Sequence, residues 1–247
     1  MSEKVALITG ATGGLGQALA NVLIDDGYQL ILTSRNATRL STVYGNKHLQ
    51  IQADCATVEG AKHIFYEINA HKVIPTVFAH CVGNIKLGAL HRITEADFNE
   101  CMQANLFSAF HTLAAFISHL KTAKLAGSAV LVSSAAAQIG TPNHEAISAA
   151  KGGLEALVRG AAATYASNSI RVNAVAPGLL DTPAAASLVA SDASRGMAAR
   201  QYPIVGIGNA PDVARLMVWL LSDHAARVTG QIWSIDGGFS SIRPIVK

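Results

Sequence analysis

Short apolar, β-rich runs alternate with longer helical patterns along most of this 247-residue chain. Strands buried in a parallel sheet form continuous apolar runs, and a crossover connection, usually a helix, joins each one to the next. The pattern therefore predicts a single doubly wound α/β domain over residues 1–247, with helices on both faces of a parallel sheet. The predicted strands cover residues 5–9, 29–34, 49–53, 76–80, 129–133, 170–176 and 231–235.

A glycine-rich segment follows the first predicted strand, with the sequence Thr9-Gly10-Ala11-Thr12-Gly13-Gly14-Leu15-Gly16. Such glycines let the chain turn sharply and let a pyrophosphate approach the amide groups that begin the next helix. The spacing is Gly-x-x-x-Gly-x-Gly, whereas the commoner dinucleotide fingerprint is Gly-x-Gly-x-x-Gly. An ordinary glycine-rich turn is the alternative, but the position after the first strand favours an anion site in a Rossmann-type sheet.

Further segments, in the same order along nearly the whole chain, resemble the short-chain dehydrogenase/reductase family. Within that family the chain looks most similar to oxoacyl-carrier-protein reductases and their relatives. The segments are the glycine-rich one, Gln103-Ala104-Asn105-Leu106, Ser133-Ser134, Lys151-Gly152-Gly153-Leu154, Pro177-Gly178 with Thr182, and Ile235-Asp236-Gly237-Gly238.

The resemblance implies a nicotinamide cofactor and hydride transfer between that cofactor and a carbonyl or alcohol. It places Ser134, Lys151 and Asn105 on the catalytic positions, with Asn105 interrupting a helix and supporting a water-linked proton path. The positions that it assigns to the cofactor are Gly10, Gly14, Leu15, Gly16, Ser34, Arg35, Asp54, Gly83, Lys151, Pro177, Gly178 and Thr182.

The end of the second predicted strand indicates which cofactor binds. Members of the family that use NAD usually carry an acid at the position of Ser34, which accepts a hydrogen bond from the ribose. Ser34 followed by Arg35 instead suits a 2′-phosphate, because serine and arginine form charge-assisted hydrogen bonds with it. We therefore expect NADP(H), the alternative being that Arg35 is a solvated surface charge.

Two departures from the family pattern bear on activity. Where the family usually has Asn-Asn-Ala-Gly, this chain has His80-Cys81-Val82-Gly83. We expect His80 and Cys81 to pack beside the cofactor, because no second set of metal ligands is visible at a suitable spacing. The second departure is Ile147, four residues before Lys151, where the family has its proton-donating tyrosine. Losing a general acid commonly lowers a rate by about 10²–10⁴-fold.

His144 is a candidate replacement for the missing phenol. His144, Ile147, Ser148 and Lys151 stand at i, i+3, i+4 and i+7, which places them on one helical stripe. An imidazole titrates near neutral pH, with a reference pKa of about 6.5, and suits acid–base catalysis. The alternative is that His144 only decorates the helix N-terminus.

Composition restricts the partners. The formal net charge is +3 without a run of basic residues, so nucleic acid is a weak hypothesis. Cys55, Cys81 and Cys101 form no CxxC pair, which suits a reducing compartment and argues against a bound metal. The first residues show no signal-peptide pattern, and no apolar run approaches the length of a membrane span. We expect a cytoplasmic protein.

Long apolar helices over residues 106–120 and 143–166, together with the apolar stretch 232–246, suggest a homotetramer, since the family usually assembles through these regions. Residues 183–203 lack a convincing strand and resemble a substrate flap with an apolar pocket. The leading hypothesis is an NADP(H)-dependent oxidoreductase with an atypical acid–base site. The alternative is a catalytically silent NADP(H)-binding sensor or regulatory protein.

Overall fold

The computed structural model describes residues 4–243 of the chain. Seven parallel strands form one sheet in the order β3-β2-β1-β4-β5-β6-β7. The strands are β1 (Val5–Thr9), β2 (Gln29–Ser34), β3 (Leu49–Gln52), β4 (Val77–His80), β5 (Gly127–Val132), β6 (Ile170–Pro177) and β7 (Ile232–Ile235). Each lies within two residues of its predicted bounds, and the predicted Rossmann-type α/β fold is confirmed.

Eight α-helices connect these strands or follow them within the described residues. They are α1 (Gly14–Asp25), α2 (Ala37–Tyr44), α3 (Val58–Ala70), α4 (Glu95–Met102), α5 (Ser108–Ala123), α6 (Glu145–Tyr165), α7 (Asp192–Ala199) and α8 (Ala210–Leu221). One apolar cluster joins a sheet face to α3, α5 and α6, while another joins the opposite face to α1, α2 and α8. Within residues 4–243, no helix is both long and apolar enough to cross a membrane.

The strand order reverses between β1 and β4. From β1 the chain adds β2 and β3 towards one edge of the sheet, whereas β4 to β7 extend towards the other edge. In doubly wound sheets, ligands bind beyond the carboxyl ends of the strands at such a switch point. β1 runs into the glycine-rich segment at this point, and β4 runs into the turn that contains Gly83. The fold thus brings two of the predicted cofactor segments together.

Two irregular segments flank this edge of the sheet. A widened π-helical turn, Gln103–Phe107, joins α4 to α5 and buries Asn105. It explains why α5 begins at Ser108 and not at residue 106, where the predicted long helix begins. The predicted flap contains a 3₁₀ segment, Pro183–Val189, followed by α7, and α7 begins with a capping box between Ser191 and Ser194. The flap therefore has regular structure, while its role as a substrate flap stays a prediction.

Candidate active site

A cavity of about 570 Å³ lies at the carboxyl ends of β1, β4, β5 and β6. Its lining includes the glycine-rich segment on one side and Ser134, Ile147 and Lys151 on another. A larger groove of about 950 Å³ lies between α3 and α5, but none of the predicted site residues lines it. The smaller cavity is therefore the candidate active site.

The glycine-rich segment is built for close main-chain approach. Gly10 has a φ of +71°, and a Cβ on it would lie 2.7 Å from the main chain of Cys81. A Cβ on Gly16 would collide with the carbonyl oxygen of Gly10. α1 begins at Gly14 without a side-chain cap, so the first amide groups of the helix remain available to an anion. This arrangement fits a pyrophosphate.

The end of β2 lies against the same segment. Ser34 Oγ is 3.0 Å from Thr12 Oγ1 and accepts a hydrogen bond from the amide of Asn36. Arg35 is exposed beside it. Asp54 is also exposed, after β3, and its carboxylate accepts a hydrogen bond from the amide of Ala56 at 3.0 Å. The Ser34 and Arg35 pair is compatible with a 2′-phosphate, and the site contains no acid at the position of Ser34.

Ser134 follows the end of β5 and caps a short 3₁₀ turn, where its Oγ accepts a hydrogen bond from the amide of Ala136 at 3.2 Å. No acceptor for its own hydroxyl hydrogen lies within residues 4–243, so that hydrogen is available to a ligand. Lys151 is 5% exposed, and its Nζ donates to the carbonyl of Val132 at 2.7 Å. Burial lowers the pKa of Lys151 to about 8, against a smaller opposite effect from Cys101 and Cys81.

Asn105 lies opposite Lys151, on the π-helical turn. Its Nδ2 donates to Asn84 Oδ1 at 2.8 Å and to the carbonyl of Cys101 at 2.9 Å. A Cβ on Gly83 would lie 2.6 Å from Asn105 Oδ1 and 3.5 Å from Lys151 Nζ. The absence of a side chain at Gly83 therefore leaves the space between these two polar atoms open.

Position 147 carries no polar group. Ile147 is 5% exposed and packs in an apolar cluster with Cys101, Ala146 and Ala150, while part of it lines the cavity. His144 lines the same cavity, and its Nδ1 donates to the carbonyl of Pro142 at 2.8 Å. In this tautomer Nε2 is the free ring nitrogen, able to accept a proton.

The predicted helical stripe is only partly correct. His144 is the N-cap residue of α6, so it stands before the helix and not on it. The hydroxyl of Ser148 donates to the carbonyl of Ala136 at 2.6 Å and is occupied by that bond. The cavity nevertheless brings His144, Ile147 and Lys151 together.

Comparison with known proteins identifies the family. A family model described as "Enoyl-(Acyl carrier protein) reductase" matches residues 10–240. The chain belongs to the short-chain dehydrogenase/reductase family. It is 32% identical to the cis-4-hydroxycyclohexanecarboxylate dehydrogenase of Sinomonas cyclohexanicum, with 98% of each chain covered. It is 30% identical to the 3-oxoacyl-[acyl-carrier-protein] reductase of Escherichia coli K12, over 95% of this chain and 96% of the relative.

Solved structures show the same fold. One described as "ElxO with NADP Bound" has a TM-score of 0.90 and 25% identity, covering 97% of this chain and all of the other. The ligand-free aldohexose dehydrogenase of Thermoplasma acidophilum has a TM-score of 0.89 and 27% identity, with 99% and 97% coverage. Dehydrogenases and reductases thus surround this member of the family.

The altered segment at the end of β4 and in the turn after it has a packing explanation in this short-chain dehydrogenase/reductase. His80 is fully buried, with Nδ1 2.8 Å from Thr9 Oγ1 and Nε2 3.0 Å from Ser108 Oγ. Burial, with a smaller contribution from Lys151, lowers the pKa of His80 to about 3, so the ring is neutral. Burial likewise raises the pKa of the Cys81 thiol to about 12. His80 is thus part of a buried hydrogen-bond network, and Cys81 is a protonated thiol that also lines the cavity.

Sequence reasoning did not single out several polar residues of the cavity lining, namely Asn84, Thr141, Ser194, Gln201 and Tyr202. Tyr202 lies between α7 and α8. Its hydroxyl oxygen accepts a hydrogen bond from the amide of Leu179 at 2.7 Å. Tyr202 lies within the predicted flap, residues 183–203, but no motif distinguishes this tyrosine from the rest of that segment.

Proposed function

We propose that this member of the family is an NADP(H)-dependent oxidoreductase that transfers hydride between nicotinamide and a carbonyl or alcohol, with an atypical site that lacks the phenol at position 147. The observation that carries the proposal is the convergence of Ser134, Lys151 and the glycine-rich segment on one cavity. A binding protein needs the glycine-rich segment and the lysine, but it has no need of the Ser134 hydroxyl.

The residues present fit the cofactor. The free amide groups at the start of α1 would hold the pyrophosphate, and Lys151 would hold the nicotinamide ribose. Ser34 and Arg35 would hold the 2′-phosphate, while Asp54 would contact the adenine and Pro177, Gly178 and Thr182 would surround the nicotinamide. When bound, NADP(H) supplies or accepts the hydride. Structures described as ElxO with NADP and with NADPH bound support this choice of cofactor.

The chain's own groups supply the polar part of the reaction. Ser134 would donate its free hydroxyl hydrogen to the carbonyl oxygen and hold it during hydride transfer. His144 would exchange the proton with that oxygen, directly or through a water molecule in the space that a tyrosine would otherwise fill. Asn105 Oδ1, facing the open space above Gly83, would hold a water molecule next to Lys151.

The substrate side of the cavity combines apolar side chains with uncharged polar ones, among them Gln201 and Tyr202. Ile147, Ala184, Leu188 and Met197 line it, and no carboxylate or guanidinium group of residues 4–243 does so. We infer that the substrate is an uncharged, largely apolar carbonyl compound or alcohol.

The second candidate function is a silent NADP(H)-binding sensor or regulator, which Ile147 favours because an apolar side chain there cannot donate a proton. In either case we propose a cytoplasmic homotetramer. The three cysteines are free, which suits the cytoplasm. Phe107, just before α5, is 40% exposed and Phe110, on α5, is 48% exposed, as expected of residues that a second subunit covers.

The deciding experiment follows NADPH oxidation by the wild type, His144→Ala and Ile147→Tyr over a panel of ketones, quinones, steroids and oxoacyl thioesters. We expect turnover by the wild type and its loss in His144→Ala. The control is His91→Ala, since His91 is exposed and outside the cavity.

Unchanged turnover in His144→Ala would assign the proton to water or Lys151. If neither the wild type nor Ile147→Tyr oxidises NADPH with any carbonyl, although both bind it tightly, the sensor is the better account.

A further inference from the structure

Tyr202 presents an unused hydrogen-bond donor to the cavity. Its oxygen accepts from the amide of Leu179 at 2.7 Å, and no residue within 4–243 accepts from its own O–H. The ring is held in place, because it packs against Phe239 with the ring centroids 5.1 Å apart. A Cβ on Gly178 would lie 2.7 Å from Tyr202 Cε1, so the ring also covers this glycine.

Strand register connects the part of the cavity wall that carries Tyr202 with the strand end that carries Ser134. β5 and β6 are neighbours in register Val132↔Val175, and the amide of Ser133 donates to the carbonyl of Val175 at 2.7 Å. Ser134 and Gly178 therefore follow the carboxyl ends of strands about 4.8 Å apart. Tyr202 Oη would be 3.2 Å from a Cβ on Gly178. The two hydroxyls stand on one wall without a hydrogen bond between them.

The hydroxyls of Ser134 and Tyr202 act as two hydrogen-bond donors and not as an acid and its base. Burial raises the pKa of Tyr202, against a smaller opposite effect of the Leu179 amide, so the phenol keeps its proton at neutral pH. A proton donor for the reacting oxygen must lie within about 3 Å of it. Two donors that line one cavity and are not bonded to each other suit a ligand with two oxygen acceptors.

We propose that Tyr202 is a specificity-determining residue that donates a hydrogen bond to a second, uncharged oxygen of the substrate, distinct from the one held by Ser134. This inference rests on the proposed function and narrows its substrate class. Apart from Lys151, which would hold the cofactor ribose, no lysine or arginine of the described residues lines the cavity, so the second oxygen belongs to an ether, ester or similar neutral group.

The test compares Tyr202→Phe, which loses only the hydroxyl, with the wild type on two ketones of equal length. One carries a β-methoxy group, and the other has a methylene in place of the ether oxygen. We expect the wild type to favour the methoxy ketone in kcat/KM by about 10-fold, as one neutral hydrogen bond allows, and Tyr202→Phe to lose that preference. Tyr165→Phe, on α6 beside Lys121, is the matched control.

Three results would overturn the inference. One is a preference that survives in Tyr202→Phe. Another is weaker NADPH binding by this variant, which would assign the phenol to the cofactor. The third is an equal fall in kcat for both ketones, which would make Tyr202 the proton donor.

A binding measurement separates this inference from the proposed function. If the wild type reduces neither ketone, ligand-observed NMR on the NADP⁺-loaded protein reports the relative affinity of the two compounds. A preference for the methoxy ketone that disappears in Tyr202→Phe would support the inference although the proposed activity had failed. Equal binding of both compounds by the wild type would refute it.

Discussion

Placing a tyrosine at position 147 tests whether the missing phenol alone limits ketone reduction. Lys151 is four residues later on α6, hence on the same helix face, and its buried ammonium would favour the phenolate and hold the ring near the reacting oxygen. A positioned general acid accelerates proton transfer by about 10²–10⁴-fold, or about 3–5 kcal/mol of transition-state free energy. We expect Ile147→Tyr to raise NADPH-dependent ketone reduction by a factor in this range.

The cavity decides whether the larger ring fits. Ile147 lies at the boundary between the apolar cluster and the cavity of about 570 Å³, so a tyrosine ring has open space on one side. If the ring were forced into the cluster with Cys101 and Ala150, overpacking would lower the free energy of unfolding by about 1–3 kcal/mol. Urea denaturation of the variant measures this cost separately from activity.

Ile147→Phe is the matched control, because it adds the same ring without the hydroxyl. Steady-state NADPH oxidation with one ketone is measured for the wild type and both variants at equal fractions of folded protein. If Ile147→Tyr is no faster than Ile147→Phe, the reasoning is wrong, and the site is limited by something other than proton transfer.

Three further predictions follow from individual residues. Arg35→Ala should weaken NADPH binding by about 10–150-fold, the value of a charge-assisted hydrogen bond of about 1.5–3 kcal/mol, and leave NADH binding unchanged in fluorescence titrations; an equal effect on both would contradict the assignment. Below pH 6.5 His80 is protonated in the unfolded chain, whereas it stays neutral in the native protein down to about pH 3. The free energy of unfolding therefore decreases as the pH is lowered from 6.5 to about 3. His80→Asn should remove about 2 kcal/mol of the loss between pH 7 and 5 in urea unfolding, and an unchanged loss would refute it. Light scattering at micromolar concentration should give a tetramer, with smaller species for Phe110→Glu, and a wild-type monomer would exclude the assembly.

Local sequence pattern was sufficient for the sheet. Most strands are apolar runs bounded by polar or glycine residues, so each could be located from its own sequence. Their parallel pairing followed from the helices predicted between them. Gly10 and Gly16 were identified from the spacing of glycines after the first strand. The structure explains this spacing, because neither position has room for a side chain. The role of Asn105 depended on the resemblance, since nothing in the letters of residues 103–107 distinguishes a π-helical turn from an α-helical one.

Features set by distant contacts were harder to predict. α7 is short and contains glycine and serine, and its capping box uses Ser194 where the usual signal is a glutamate or glutamine, so helical propensity was weak. The position of His144 depended on where α6 begins, and helix ends are uncertain by one or two residues. Tyr202 reaches the cavity through the path of the chain after α7, which no periodicity records.

The end of β4 and the turn after it show that a binding motif can depend more on a space that stays unfilled than on the identity of its residues. His80, Cys81 and Val82 differ from the usual residues, and each still finds neighbours that accept its shape or hydrogen bonds. Gly83 has no such latitude, because one methyl group there would occupy the gap between Asn105 Oδ1 and Lys151 Nζ. Residues 80–82 can therefore change in identity, whereas position 83 must stay glycine to keep the gap open.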